Sequence, residues 1–162
     1  MPYCKDCNDE FQEEQGERID GDFHCLNCLY NGHNPFKIYP IGFVENNLSI
    51  GRGFGVRGNK RKTSKIHIFP SQKPFLYKVE DEKELTIIFY LHKCDNIKSK
   101  FKRGMDGKKV GVFASRTPKR PSRIAVSNVK LVKVERTTLY VKGLDAVNGT
   151  PVLDIKLGGR LF

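Results

Sequence analysis

Ile124-Ala125-Val126-Ser127-Asn128-Val129-Lys130-Leu131-Val132-Lys133-Val134-Glu135 runs into Arg136-Thr137 and then Thr138-Leu139-Tyr140-Val141-Lys142-Gly143-Leu144. Apolar and polar residues alternate on both sides of Arg136-Thr137. A period of two puts successive side chains on opposite faces of a strand, so the stretch predicts a β-hairpin with one buried face. Working outward, Leu85-Thr86-Ile87-Ile88-Phe89-Tyr90-Leu91 is the most apolar run and predicts a central strand. Four further short apolar runs predict strands at 38–44, 66–69, 109–114 and 151–156. No segment keeps a helical period for long. The fold class is therefore mainly β, with six to eight strands closed into a barrel or stacked as a sandwich.

The N-terminus reads differently. Cys4-x-x-Cys7 and Cys25-x-x-Cys28 are separated by seventeen residues. Two residues between cysteines let both thiolates of a turn reach one ion, and two such turns complete a tetrahedron with metal–sulfur distances of about 2.3 Å. The segment has few apolar residues of its own (Phe11, Ile19, Phe23, Leu26, Leu29). Metal must supply its folding energy, on the order of 10 to 16 kcal/mol for structural zinc. Four thiolates leave no open position, so the site is structural. Zinc is expected, with rubredoxin-like iron as the rival. His24 beside Cys25 is expected to pack or to face water. Cys94, alone in a strand-like run, is expected to be inert packing.

Charge places the boundary. The net charge is +11, but residues 1–34 carry eight acidic side chains against Lys5 and Arg18. That segment is −6 and the remainder is +17. The turn-rich Asn31-Gly32-His33-Asn34-Pro35 lies between them. Two domains follow: a Cys4 metal module at 1–34 and a basic β domain at 35–162. The excess of cations points to a polyanionic partner, RNA or another nucleic acid. No run reaches the roughly 18 apolar residues of a membrane span. No apolar stretch follows a basic start, so a cytoplasmic, reducing location is expected.

Three basic stretches stand out. Gly53-Phe54-Gly55-Val56-Arg57-Gly58 matches G-x-G-x-x-G but leads into Asn59-Lys60-Arg61-Lys62 rather than a helix, so it is no dinucleotide loop. A flexible loop carrying Arg52, Arg57, Lys60, Arg61 and Lys62 to phosphates is one reading; a merely solvated loop is the other. Lys98-Ser99-Lys100-Phe101-Lys102-Arg103, with Lys108-Lys109, offers Lys100, Lys102 and Arg103 to RNA or is likewise a solvated face. In Arg116-Thr117-Pro118-Lys119-Arg120-Pro121-Ser122-Arg123, two prolines limit the loop, so its guanidinium groups can be held ready for an anionic or carboxylate ligand; a merely rigid surface loop is the other reading. No Ser-His-Asp order and no catalytic carboxylate pair appears. The catalytic residue stays unassigned, with Asp145 and Asp154 the conceivable bases.

Three of these stretches together carry a resemblance. Gly111-Val112-Phe113-Ala114-Ser115-Arg116-Thr117-Pro118-Lys119-Arg120-Pro121, Val129-Lys130-Leu131, and Gly143-Leu144-Asp145-Ala146-Val147-Asn148-Gly149-Thr150-Pro151-Val152-Leu153-Asp154-Ile155-Lys156 resemble the TsaA-like (TrmO) family. The resemblance spans roughly 37–157 and is most specific from 111 onward. It implies a small β-barrel that forms a homodimer and binds S-adenosylmethionine (SAM). The implied reaction is N6-methylation of threonylcarbamoyl-adenosine next to the tRNA anticodon. By motif, the His-Gln pair ending the family's central strand falls on His92 and Lys93, its loop arginine on Arg116, and its Asp-Gly-Thr-Pro turn on Asn148, Gly149, Thr150 and Pro151. These seven are the implied cofactor contacts. Two other classes stay open: a non-catalytic SAM- or RNA-binding module, and an interaction protein that recruits a partner through its metal knuckles.

Overall fold

The computed structural model describes residues 1–51 and 56–159. In chain order its elements are β1 (Gly16–Ile19), β2 (Asp22–Cys25), α1 (Leu26–Leu29), β3 (Gly42–Glu45), β4 (Ser49–Ile50), β5 (Val56–Arg57), β6 (Ser64–Ile68), β7 (Glu84–Tyr90), β8 (Lys100–Lys102), β9 (Lys109–Gly111), β10 (Ile124–Glu135), β11 (Thr138–Lys142) and β12 (Pro151–Leu157). They divide into two compact units, one of Met1–Lys37 with Cys94–Arg123, the other of Ile38–Lys93 with Ile124–Phe162.

The second unit is a closed barrel of six strands in the order β10-β11-β6-β3-β12-β7, which decides between barrel and sandwich. Every neighbouring pair is antiparallel. The alternation read from the sequence is the alternation of burial. In β7, Leu85, Ile87 and Phe89 point inward and are at most 3% exposed. Ile66 of β6, Leu139 and Val141 of β11 and Val152 of β12 are fully buried and complete the core. Closure removes the sheet edges that an open six-stranded sheet would expose. The 124–144 hairpin forms as expected, with Arg136 in the left-handed region at φ 55°.

Two of the expected strands are shorter than their apolar runs. The first begins at Gly42, not Ile38, because Pro40 has no N–H to give a ladder. Gly42 itself is required by close approach: a Cβ there would lie 2.2 Å from the carbonyl oxygen of His67 on β6. The run 109–114 is a strand only to Gly111. It then turns through a 3₁₀ segment, Val112–Ala114, closed by Ser115 N–H donating to the Val112 carbonyl at 3.1 Å.

The first unit is built on the β1–β2 hairpin. Its turn, Asp20-Gly21, has φ of 51° and 95°, a combination that Asp-Gly adopts readily. Phe11 and Phe23 meet edge to face at 6.4 Å beneath it, and Gly16 leaves room for the Phe11 ring. Residues 94–123 pack with this hairpin. Ile97 is 2% exposed and forms a parallel bridge with Ile19, and Asp20 accepts from the Ser99 N–H at 3.1 Å and from its hydroxyl. Among the described residues, no helix is long and apolar enough to cross a membrane.

Candidate functional site

The sulfur atoms of Cys4, Cys7, Cys25 and Cys28 lie within 4.8 Å of one another. Cys7 and Cys25 sulfurs are 4.0 Å apart, close to the ~3.8 Å that a tetrahedron of four 2.3 Å bonds requires. The first knuckle is held by the Cys4 N–H bonding to the Asp9 carbonyl and the Asn8 N–H to the Cys4 carbonyl, both at 2.9 Å. In the second, Cys25 caps α1 by accepting from the Cys28 N–H at 3.4 Å. Cys4 also accepts N–H groups from Cys25 at 3.3 Å and Asp6 at 3.4 Å. These amides, the Cys25 one foremost, lower the Cys4 thiol to about 6, so it is a ready thiolate at neutral pH. The Cys28 thiol is pushed up by its contacts with the Cys25 and then the Cys7 sulfurs, the response of crowded thiols that a cation would relieve. The donor set fits a closed thiolate metal site. His24 stays outside it and pairs through Nδ1 with Asp6 at 2.7 Å. Cys94 is buried and its thiol meets the Pro118 carbonyl at 3.4 Å.

Of the residues implied to touch SAM, six lie in the barrel unit and Arg116 in the first unit. His92 follows β7 in a turn, with its N–H on the Tyr90 carbonyl. Burial first, and the Lys93 charge second, lower its pKa, so the imidazole is neutral at pH 7. The 148–151 turn is its neighbour: a Cβ at Gly149, where φ is +80°, would sit 4.0 Å from His92 Nε2. The turn is internally tied. Asn148, Gly149 and Thr150 donate their N–H groups to the carbonyls of Leu48, Val44 and Val147, and the buried Thr150 hydroxyl also donates to Val147. Asn148 Oδ1 accepts the Asn46 N–H at 3.0 Å. An aspartate at 148 would accept that bond equally, so either residue keeps the turn. Pro151 opens β12 opposite Phe43.

The three arginines of 116–123 have separate fates. Arg120 holds its own loop, donating to the carbonyls of Thr117 at 2.9 Å, Ser115 at 2.7 Å and Val112 at 3.3 Å. Arg123 pairs with Glu17. Arg116 is exposed and has no side-chain hydrogen bond or ion pair among the described residues. The loop is a scaffold that leaves one guanidinium available.

The candidate RNA contacts also separate. Arg57, Arg61, Lys62, Lys100 and Lys102 are exposed. Lys60 pairs with Asp145 at 2.7 Å. Arg103 is spent on structure, bonding Asp106 through Nε at 3.1 Å and Nη2 at 2.5 Å and the Ala114 carbonyl through Nη1 at 3.2 Å. Arg52, with Gly53 and Gly55 of the glycine motif, lies outside the described residues. Of the two conceivable bases, Asp145 is held by Lys60, and Asp154 by Lys156 at 2.8 Å and the Ile155 N–H at 2.9 Å. The sequence reading passes over Asn46, which ties the turn to Ser64 and Ala146, and gives no role of its own to Phe113, which is 83% exposed.

Comparison with known proteins gives these positions a setting. The chain matches the tRNA-methyltransferase O N-terminal domain over residues 55–157. It is 35% identical over 126 residues to a tRNA (adenine(37)-N6)-methyltransferase of Mus musculus, covering 72% of this chain and 29% of that protein. It is 31% identical over 118 residues to an S-adenosyl-L-methionine-binding protein of Archaeoglobus fulgidus, covering 72% of this chain and 85% of that one. The crystal structure of TrmO from Pseudomonas aeruginosa superposes with a TM-score of 0.57 at 25% identity, over 78% of this chain and 57% of that one. The chain thus spans less than a third of the length of the mammalian relative. On the match through the barrel strands and both motif turns, this chain belongs to the tRNA-methyltransferase O N-terminal domain family.

Proposed function

We propose that the protein binds SAM and transfers its methyl group to N6 of an adenine base in tRNA, the threonylcarbamoyl-adenosine beside the anticodon being the target. The observation that carries this reading is the family match over 55–157, which includes Arg116, His92 and the 148–151 turn. The relatives named for adenine-37 methylation and for SAM binding support the cofactor and the substrate class. Arg116, on a loop whose flanking carbonyls Arg120 holds and without a side-chain partner among the described residues, is suited to an anionic group such as a carboxylate. The neutral His92 with the adjoining Gly149 turn is suited to the adenosine end. Transfer then needs alignment of donor and acceptor and removal of the N6 proton. Arg57, Arg61, Lys62, Lys100 and Lys102 are suited to tRNA phosphates. Zinc fills the Cys4 site, the protein acts as a homodimer, and tRNA modification places it in the cytoplasm.

A second reading has its own support. The Archaeoglobus fulgidus relative, which this chain covers over 85% of its length, is named for SAM binding alone. In that reading the chain binds SAM without transferring its methyl group. Titration with SAM, followed by transfer of labelled methyl to unmodified and threonylcarbamoylated tRNA, separates the two. SAM binding with transfer to the modified tRNA supports the enzyme; binding without transfer supports the second reading; no binding by the zinc-loaded protein removes both.

A further inference from the structure

Phe113 is a large apolar side chain on a short turn, yet it is 83% exposed. It makes no ring contact among the described residues. The exposure does not come from a loose segment. Val112, its neighbour, is 6% exposed and donates its N–H to the Ser99 carbonyl at 3.1 Å. Ala114, on the other side, accepts from Arg103 Nη1 at 3.2 Å. Phe113 is therefore stapled at both flanks, to the residue before β8 and to the residue after it, and Arg120 ties the turn's carbonyls from behind. The backbone that carries this solvated aromatic ring is thus held beside β8.

The ribbon next to that ring is cationic on one face. Lys100 and Lys102 are two residues apart on β8, so they share a face. Lys102 stands directly opposite Lys109 of β9, and Lys100 stands opposite Gly111, which has no side chain to cover it. All three lysines are exposed and form no ion pair among the described residues. Like charges directly opposed across a ribbon weaken it, and an anion laid between them relieves the repulsion. Their charge also disfavours a second copy of this chain as what covers Phe113.

We propose that this ribbon and turn form a single-strand RNA site, with Lys100, Lys102 and Lys109 on phosphates and the Phe113 ring stacked on a nucleobase. Stacking on an aromatic ring is sequence-tolerant and lysine–phosphate contacts are salt-dependent, so the two contributions can be read separately. The proposal deepens the reading that the chain acts on tRNA and rests on it. A nucleobase can also come from the cofactor, so SAM is a second arm of the test.

The zinc-loaded full chain is titrated with a fluorescent oligoadenylate across a salt series, and with SAM by calorimetry. Phe113→Ala and Phe113→Leu should each weaken oligoadenylate binding by about 10- to 100-fold with the salt slope unchanged, while Phe113→Tyr keeps it. Replacing Lys100, Lys102 and Lys109 together by Gln should reduce the slope of log affinity against log salt by about 2. SAM affinity should be unchanged in the Phe113 variants. Unaltered oligoadenylate binding in the Phe113 variants, or an unaltered slope in the lysine variant, overturns the proposal. So does loss of SAM affinity in place of RNA affinity, which assigns the ring to the cofactor, or a change of oligomeric state alone, which assigns it to a second copy. If the unaltered protein binds no RNA, this proposal falls together with the tRNA reading; if it does and the variants match it, only this one falls.

Discussion

Glu17 and Arg123 form a two-pronged ion pair, Nη1 to Oε1 at 3.0 Å and Nη2 to Oε2 at 2.9 Å, across 106 positions of sequence. Their side chains are 23% and 15% exposed, so the pair is well shielded, and Arg123 Nε also donates to the Cys94 carbonyl at 2.9 Å. Glu17 sits on β1 opposite His24, one residue from a metal-site cysteine. The pair therefore fastens the end of the arginine loop to the metal hairpin. Glu17→Ala removes the carboxylate and leaves a guarded guanidinium. The expected cost is about 1 to 3 kcal/mol, below a fully buried pair and above a surface one. Thermal melts with hydrogen exchange at 112–123 check it; unchanged protection of that loop would show the pair to be incidental.

Metal removal should act on the same loop. The first unit joins the Cys4 site to 94–123 through Ile19–Ile97, Asp20–Ser99 and Glu17–Arg123. Chelation is expected to raise exchange across both 1–37 and 94–123, and Cys25→Ser to reproduce it. The pH dependence has a definite sign. Cys4 in the folded chain titrates at about 6, below the ordinary thiol value of 9.0. A depressed pKa gives a contribution present above the ordinary value and lost as pH falls through the folded one. Protons compete with the metal for all four thiolates, so metal retention, followed with a chromogenic chelator, should fall as pH drops, with Cys4 the last of the shifted thiols to be protonated. Retention that does not vary between pH 7 and 5 would contradict it.

How much was legible follows from where each interaction lies. The barrel strands were readable because a half-buried strand writes its period into consecutive residues, as β7 does with Leu85, Ile87 and Phe89. The gathering of Cys4, Cys7, Cys25 and Cys28 was readable because each pair lies in a local turn. The packing of 94–123 with the N-terminal hairpin was not readable: it rests on Glu17 with Arg123 and Asp20 with Ser99, pairs 106 and 79 residues apart that no local pattern marks. The fate of the basic side chains was equally hidden. Arg103 and Arg116 look alike in sequence, yet Arg103 is consumed by Asp106 while Arg116 is exposed.

The barrel's two notable glycines should differ in cost. At Gly42 a methyl group would meet a backbone carbonyl at 2.2 Å, and backbone cannot swing aside. Gly42→Ala should force β3 from β6 and destabilise the chain by several kcal/mol, on the order of the larger overpacking penalties. At Gly149 the space is ordinary and only the positive φ is strained. Gly149→Ala should cost about 1 kcal/mol. Denaturant titration ranks the two; equal costs would mean that the β3–β6 approach relaxes easily.

Arg116 and Arg120 give the sharpest separation of binding from scaffold, because they share a loop and differ only in what they touch. Arg120 donates to three carbonyls, of which only that of Val112 is also given another donor, from Ser115, among the described residues. Arg120→Ala should destabilise by about 1 to 3 kcal/mol and weaken SAM binding only as a consequence of loop disorder. Arg116→Ala removes an exposed side chain without a partner among the described residues, so the melting temperature should stay within a degree or so. If Arg116 holds the methionine carboxylate, its loss should weaken SAM by about 10- to 150-fold, the worth of a charge-assisted pair. Arg116→Lys should recover only part, since an ammonium cannot present two parallel N–H groups. Calorimetry beside thermal melts of the same samples reads both quantities. SAM affinity unchanged in Arg116→Ala would remove this arginine from the cofactor site while leaving its loop intact.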